Sequence, residues 1–269
     1  MHPRISDSSI CFLGEPFAEV VRHWEALDAR RVSLMSPQVL TEDDGVLQAA
    51  LGGSGRQLET VTHNFMRDLS AGEEHWAPAR ATLTTLIQRV AALGGRSIYM
   101  LTGGFGPLTW EDAAQRFTDA IAPCRAIARE AGVRIAIENT PGLYGDLHIA
   151  HSLRDTVTLA EMAGIDVCID LPTCWTEAGL KESIARALPR CAVVQVADYV
   201  CGDRALPARA VPGDGAIQLR RTFQWLLDAS YEGAFDLELI GPRIDQEGRV
   251  AAVRRAARNV GEMLETLRR

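Results

Sequence analysis

The chain has 269 residues, 47% of them hydrophobic, with a mean hydropathy near zero, enough to bury the core of one barrel-sized domain. Its net charge of −7 opposes a phosphate backbone and no basic patch interrupts it, which argues against a nucleic-acid partner. No run of about 18 apolar residues occurs and MHPRISDSSICFLG lacks an apolar core of signal-peptide length, so a cytoplasmic protein with no membrane partner is expected.

In chain order, SSICFLG (8–14) reads as the first strand and residues 16–30 carry apolar side chains at helical spacing. RVSLMS (31–36) is a second strand, followed by the short helix GVLQAALGG. RQLETVTHNF (56–65) is a third strand that ends near His63, and WAPARATLTTLIQRVAALGG is an amphipathic helix stopped by glycines. SIYMLTGGFG (97–106) is a strand running into a Gly-rich turn, and residues 112–131 form the next helix. RIAIE closes a fifth strand at Glu138.

SLRDTVTLAEMAG, TEAGLKESIARAL, AIQLRRTFQWLLDAS and GRVAAVRRAARNVGEMLETLRR read as helices between and after the strands DVCID, CAVVQVADY and AFDLELI. Eight strand-then-helix units with no linker predict a single-domain α/β fold over 1–269, a (β/α)8 TIM barrel with a parallel sheet. A doubly wound open sheet is the alternative, weakened by the lack of GxGxxG after the first strand.

The chemistry-bearing residues sit where those strands stop. Glu138, Asp170, Gln195 and Glu238 close strands five to eight, each just before a loop. A strand without polar alternation is buried on both faces, so a carboxylate at its end needs a partner. Two Glu, one Asp and one Gln on one rim form an all-oxygen set for a hard divalent cation, Mn2+ or Mg2+. The six cysteines are far apart, without a CxxC pair, and are expected to be reduced and mostly buried. Lys181 lies on a solvated helical stretch, which leaves Schiff-base chemistry without a lysine.

The IEN strand end, the late Asp strand, VQVAD with a following PGDG loop, and YEGAFDLEL resemble the xylose-isomerase-like TIM barrels of the sugar isomerase/epimerase superfamily, over nearly the whole chain. The resemblance implies metal ligands at Glu138, Asp170, Gln195 and Glu238, with Co2+ or Zn2+ as further options. It also implies Glu138 and Glu238 as the acid/base pair that moves a proton through an enediolate of a sugar-like α-hydroxyketone. Gln195 departs from the more common His, although Gln stands there in some bacterial dehydroshikimate dehydratases. Thr173 stands where many members carry a His.

The resemblance leaves other activities open. They are a dehydratase of a dehydroshikimate- or inosose-like substrate and a barrel subunit of a heteromeric C-glycoside deglycosidase; the superfamily's more distant endonuclease, with a His-rich zinc site and a basic groove, is not matched by six scattered His and an acidic charge. Related barrels are often dimers or tetramers, so a homo-oligomer is expected.

Six residues are candidates for contact with a polyhydroxylated small molecule: His63, Trp110, His148, Trp175, Arg209 and Arg243. Each has a plainer alternative: a satisfied strand-end or helix-start histidine (His151 beside His148 included), a core aromatic, or a surface ion pair. The PGDG turn (212–215) has amides suited to a phosphate, but a tight turn opening a helix is the simpler expectation.

Overall fold

A computed structural model describes residues 1–267. Eight parallel strands close into a barrel in sequential order: β1 (Ile5–Ser8), β2 (Arg31–Met35), β3 (Gln57–Asn64), β4 (Ser97–Leu101), β5 (Arg134–Glu138), β6 (Asp166–Asp170), β7 (Cys191–Val196) and β8 (Phe235–Leu237). A helix follows each strand: α1 (Phe17–Leu27), α2 (Asp44–Ala50), α3 (Glu73–Ala92), α4 (Trp110–Glu130), α5 (Leu153–Ala163), α6 (Leu180–Ala187), α7 (Leu219–Asp228) and α8 (Arg249–Leu267). The last two residues of the expected final helix, 268 and 269, lie outside the described residues.

The helices form for ordinary reasons. Thr109 caps α4, its hydroxyl accepting from the Asp112 amide at 3.2 Å, and Ser152 caps α5 by accepting from the Asp155 amide at 3.0 Å. Gly164 ends α5 in the left-handed region at φ +64°, which a side chain rarely adopts. Their apolar faces pack on the outward residues of the strands, where Val61, Ile98, Ile137 and Ile169 are fully buried.

One expectation fails at the start of the chain. The first strand is Ile5–Ser8, ISDS, and residues 9–12 of the expected strand SSICFLG are a 3-10 helix. The reason is what β1 faces. Register sets Ser6 beside Asp236 of β8 and Ser8 beside Ser33 of β2, on the inside of the barrel. Ser6 and Ser33 share a hydrogen bond of 2.9 Å, and Ser33 donates to Asp236 at 2.6 Å. A strand whose inner neighbours are polar is itself polar, so hydrophobicity marked the segment after it.

Elsewhere the barrel interior is small and mixed. Tyr99, Ala136, Cys168, Ala192 and Val193 form its apolar plug, apart from the larger core between strands and helices. At the amino end of the strands, Arg31 pairs with buried Glu59 at 2.6 Å, and Arg4 donates to the carbonyls of Tyr231 and Gly233 at 2.7 and 2.9 Å. These contacts tie the amino ends of the strands together beside a cavity of about 800 Å³ lined by Glu59, Ser97, Arg134, Cys191, Tyr231 and Gly233.

Candidate active site

The carboxyl ends of β5 to β8 bring Glu138, Asp170, Gln195 and Glu238 to one rim. Glu138 lies level with Cys168, Asp170 with Gln195, and Gln195 with Asp236. The four therefore climb two residues from β5 to β6, none from β6 to β7, and two from β7 to β8. An eight-stranded barrel of shear 8 advances about one residue per strand, so such a climb across three steps keeps the side chains at a common depth along the axis.

Arg209, from the loop between β7 and α7, reaches into this group. Its guanidinium donates to both oxygens of Asp170, at 3.2 and 2.7 Å, and lies 3.5 Å from a Glu238 oxygen. Gln195 is held from both sides: its amide oxygen accepts from the Cys168 thiol at 3.1 Å, while its nitrogen donates to the Tyr99 hydroxyl at 3.0 Å and to the Glu238 carboxylate. Asn139 ties the ends of β5 and β6 together, accepting from the Asp170 amide at 3.0 Å and donating to the Asp170 carbonyl at 2.8 Å and to Thr173. The Thr173 hydroxyl in turn donates to the Asn139 carbonyl at 2.8 Å, so it serves the strand ends.

Burial and mutual repulsion set the protonation of the cluster. Burial pushes Glu138 well above the usual carboxylate range, with Glu238 and Asp170 adding to it. Burial raises Asp170 as well, against the Arg209 charge, and carries Glu238 up to about 7, again opposed by Arg209 and helped by Asp170. Arg209 is itself desolvated, but the carboxylates of Asp170, Glu238 and Glu138 hold it firmly charged. Three carboxylates thus face one guanidinium, and when all are ionised two negative charges go uncompensated.

That excess and the donor types fit a hard divalent cation. The Gln195 amide adds an oxygen, because a turn about its last torsion exchanges oxygen and nitrogen. Yet among the described residues no three His, Cys, Asp or Glu side chains are drawn together as ligands of one ion. The Arg209 guanidinium stands between Asp170 and Glu238.

The other expected contacts are placed differently. His63 lies level with Met100 on the outward side of the sheet, where its Nδ1 is 3.0 Å from the Ser36 hydroxyl and burial lowers its pKa to about 4. Strand alternation turns it away from the axis, which corrects the expectation that it meets substrate. His148 is corrected for another reason. It is fully buried, its Nδ1 accepting from the Thr102 amide at 3.0 Å and its Nε2 donating to the Glu138 carbonyl at 2.8 Å, so both nitrogens are used by strand ends. Burial lowers its pKa to about 3.

Arg243 pairs with Asp203 at 2.8 Å, as the surface-pair alternative foresaw. Trp110 donates to the Ile149 carbonyl at 3.0 Å, which anchors the loop after β5 to α4. Trp175 sits 6.2 Å from the Tyr199 ring. Of the six candidates, Arg209 alone among the described residues hydrogen-bonds the strand-end carboxylates. Beside it a small cavity of about 170 Å³ is lined by Tyr144, Tyr199, Thr173, Leu206, Arg209 and three prolines.

Several residues escaped the sequence. Tyr99 and Cys168 grip Gln195, and their signal was the i, i+2 alternation that sends Cys168 the same way as Asp170. Asp198 binds the PGDG loop: its carboxylate accepts from the amides of Tyr199, Gly213, Gly215 and Ile217 at 2.8, 2.9, 3.0 and 3.1 Å. Those amides are thus spent on a side chain, and the turn is the tight one expected.

This barrel and its acidic rim define a (β/α)8 protein with polar groups at the carboxyl end of its last four strands. The family model described as Xylose isomerase-like TIM barrel matches residues 25–268, and the chain belongs to that family. No curated protein sequence matches significantly. Among solved structures, protein SMc04130 from Sinorhizobium meliloti 1021 is 22% identical, with a TM-score of 0.85 over 96% of this chain and 98% of that one. An L-ribulose 3-epimerase is 17% identical, with a TM-score of 0.81 over 98% and 95%. The IolI protein with a bound zinc atom is 13% identical, with a TM-score of 0.80 over 98% and 99%.

Proposed function

We propose that the chain is a divalent-metal-dependent isomerase or epimerase of a sugar-like α-hydroxyketone, with Glu138 and Glu238 as its acid/base pair. The observation that carries this reading is the convergence of Glu138, Asp170, Gln195 and Glu238 on one rim, with carboxylates in excess of cations. The likeness to an L-ribulose 3-epimerase and to a zinc-binding IolI supports it.

Glu138, Asp170, Gln195 and Glu238 would hold the cation, Mn2+ or Mg2+ by their hard oxygens. When bound, it polarises the substrate carbonyl and lowers the barrier to loss of the neighbouring proton. The protein's own groups do the rest. The Glu238 carboxylate takes the substrate proton and returns it. Glu138, three strands away around the rim, serves the opposite face of the substrate. Asn139 and His148 fix the backbone on which Glu138 stands. Arg209 supplies a planar pair of donors for substrate oxygens.

The test is proton exchange in heavy water over a panel of ketoses and inososes, followed by NMR. Wild-type protein with Mn2+ should wash deuterium into the carbon next to the carbonyl. Glu138→Gln and Glu238→Gln should each fold normally and lose about 10²–10⁴-fold of that rate. Undiminished exchange in the double variant would end the assignment.

A further inference from the structure

Arg209 is built as a resident cation of the carboxylate rim. Its main chain is fixed on both sides: the Arg209 amide donates to the Ile240 carbonyl at 3.2 Å, and Ala210 exchanges two bonds of 2.8 Å with Asp198. Asp198 is itself locked by four loop amides. Gly241 lets β8's loop close against this segment, since a Cβ there would stand 2.6 Å from the Pro207 carbonyl. The loop therefore delivers the guanidinium from a main chain fixed by these hydrogen bonds.

The guanidinium satisfies both oxygens of Asp170 and approaches Glu238, two of the side chains that the proposed function assigns to the cation. A carboxylate oxygen engaged in a charged hydrogen bond does not simultaneously give the same lone pair to an ion, and two cations in one buried pocket repel. We infer that Arg209 and the divalent metal compete for Asp170 and Glu238, so that metal enters by displacing the guanidinium from both.

The inference rests on the proposed metal site, and it has a consequence in binding rather than in turnover. Removing the positive charge leaves the cluster more negative and frees the Asp170 oxygens from the guanidinium. A unit charge about 6 Å from a divalent ion at an effective dielectric near 20 corresponds to roughly ten-thousandfold in affinity, and solvent screening reduces that steeply. The Arg209→Met variant should bind Mn2+ about 10- to 100-fold more tightly than wild type.

The experiment is isothermal titration of Mn2+ into chelator-stripped wild type and Arg209→Met, with circular dichroism to confirm folding. Tighter binding in the variant, including binding by the variant alone, supports the competition. Equal or weaker binding in the variant, with wild type still binding, overturns the competition and leaves the metal site standing. No binding by either overturns both. Should Arg209→Met fail to fold, Arg209→Lys decides: it keeps the charge but loses the two-pronged grip on Asp170, so it should bind severalfold more tightly, and unchanged or weaker affinity overturns the inference.

Discussion

Arg209 and Asp170 meet through two parallel hydrogen bonds, 3.2 and 2.7 Å long, between a loop residue and the last residue of a strand 39 positions earlier in the chain. The fork determines which strand-end oxygens are engaged. It also ties the geometry of the rim to the loop after β7, so residues that shape that loop govern the site without touching it.

Asp198 is the first of these. Replacing it with Ala would leave the amides of Tyr199, Gly213, Gly215 and Ile217 without their shared acceptor. Hydrogen bonds to a charged group are each worth about 1.5–3 kcal/mol, and partial rehydration recovers some of that, so a loss of about 3 kcal/mol is expected. Urea denaturation measures it. A loss below about 1 kcal/mol would mean that the loop is held by other contacts. Gly215→Ala should act in the same direction, because its Cβ would stand 2.3 Å from Asp198 Oδ1 and 2.4 Å from the Tyr199 carbonyl.

Asn139 has a comparable role between β5 and β6. Its amide satisfies the Asp170 backbone on both sides, N–H at 3.0 Å and C=O at 2.8 Å. Asn139→Ala leaves both buried and is expected to destabilise by about 2–4 kcal/mol. Asn139→Asp loses the donor and adds a buried carboxyl beside the acidic rim, so thermal unfolding at neutral pH should place it no higher than Ala. A variant as stable as wild type would show that water replaces the amide at no loss.

Acid stability should report His63. Burial lowers its pKa from 6.5 to about 4, so the folded state refuses a proton that the unfolded chain accepts below about 6.5. The His63 contribution is therefore intact above pH 6.5 and is lost as pH drops towards 4, by about 3 kcal/mol in all. His63→Gln removes this group and should flatten the slope of unfolding free energy over that window. An identical slope in the variant would move the acid sensitivity to other groups, fully buried His148 first among them.

Much of this architecture was visible in the residues. The strands SIYML, RIAIE and DVCID are short apolar runs bounded by turns or helices, because each is covered by helices outside and contributes to the plug inside. The polar residues that stop four of the last strands stood out for that reason. β1 did not, because its inner face meets Asp236 and Ser33 and its sequence ISDS carries no hydrophobic signal. His63 failed in a related way: a strand's end can be read from sequence, but which face a residue takes depends on register with β4, and one position decides it. The Asp198 anchor and the reach of Arg209 into the rim are contacts across loops, for which a linear pattern holds no period.

The most direct test of the account is metal content by elemental analysis of untagged protein, beside Glu238→Ala. About one equivalent of Mn, Mg, Co or Zn per chain, lost in the variant, is the result expected if the ends of β5 to β8 form one cation site. No metal in wild type, even after dialysis against Mn2+, would contradict it and leave the rim as a carboxylate cluster balanced by Arg209 alone.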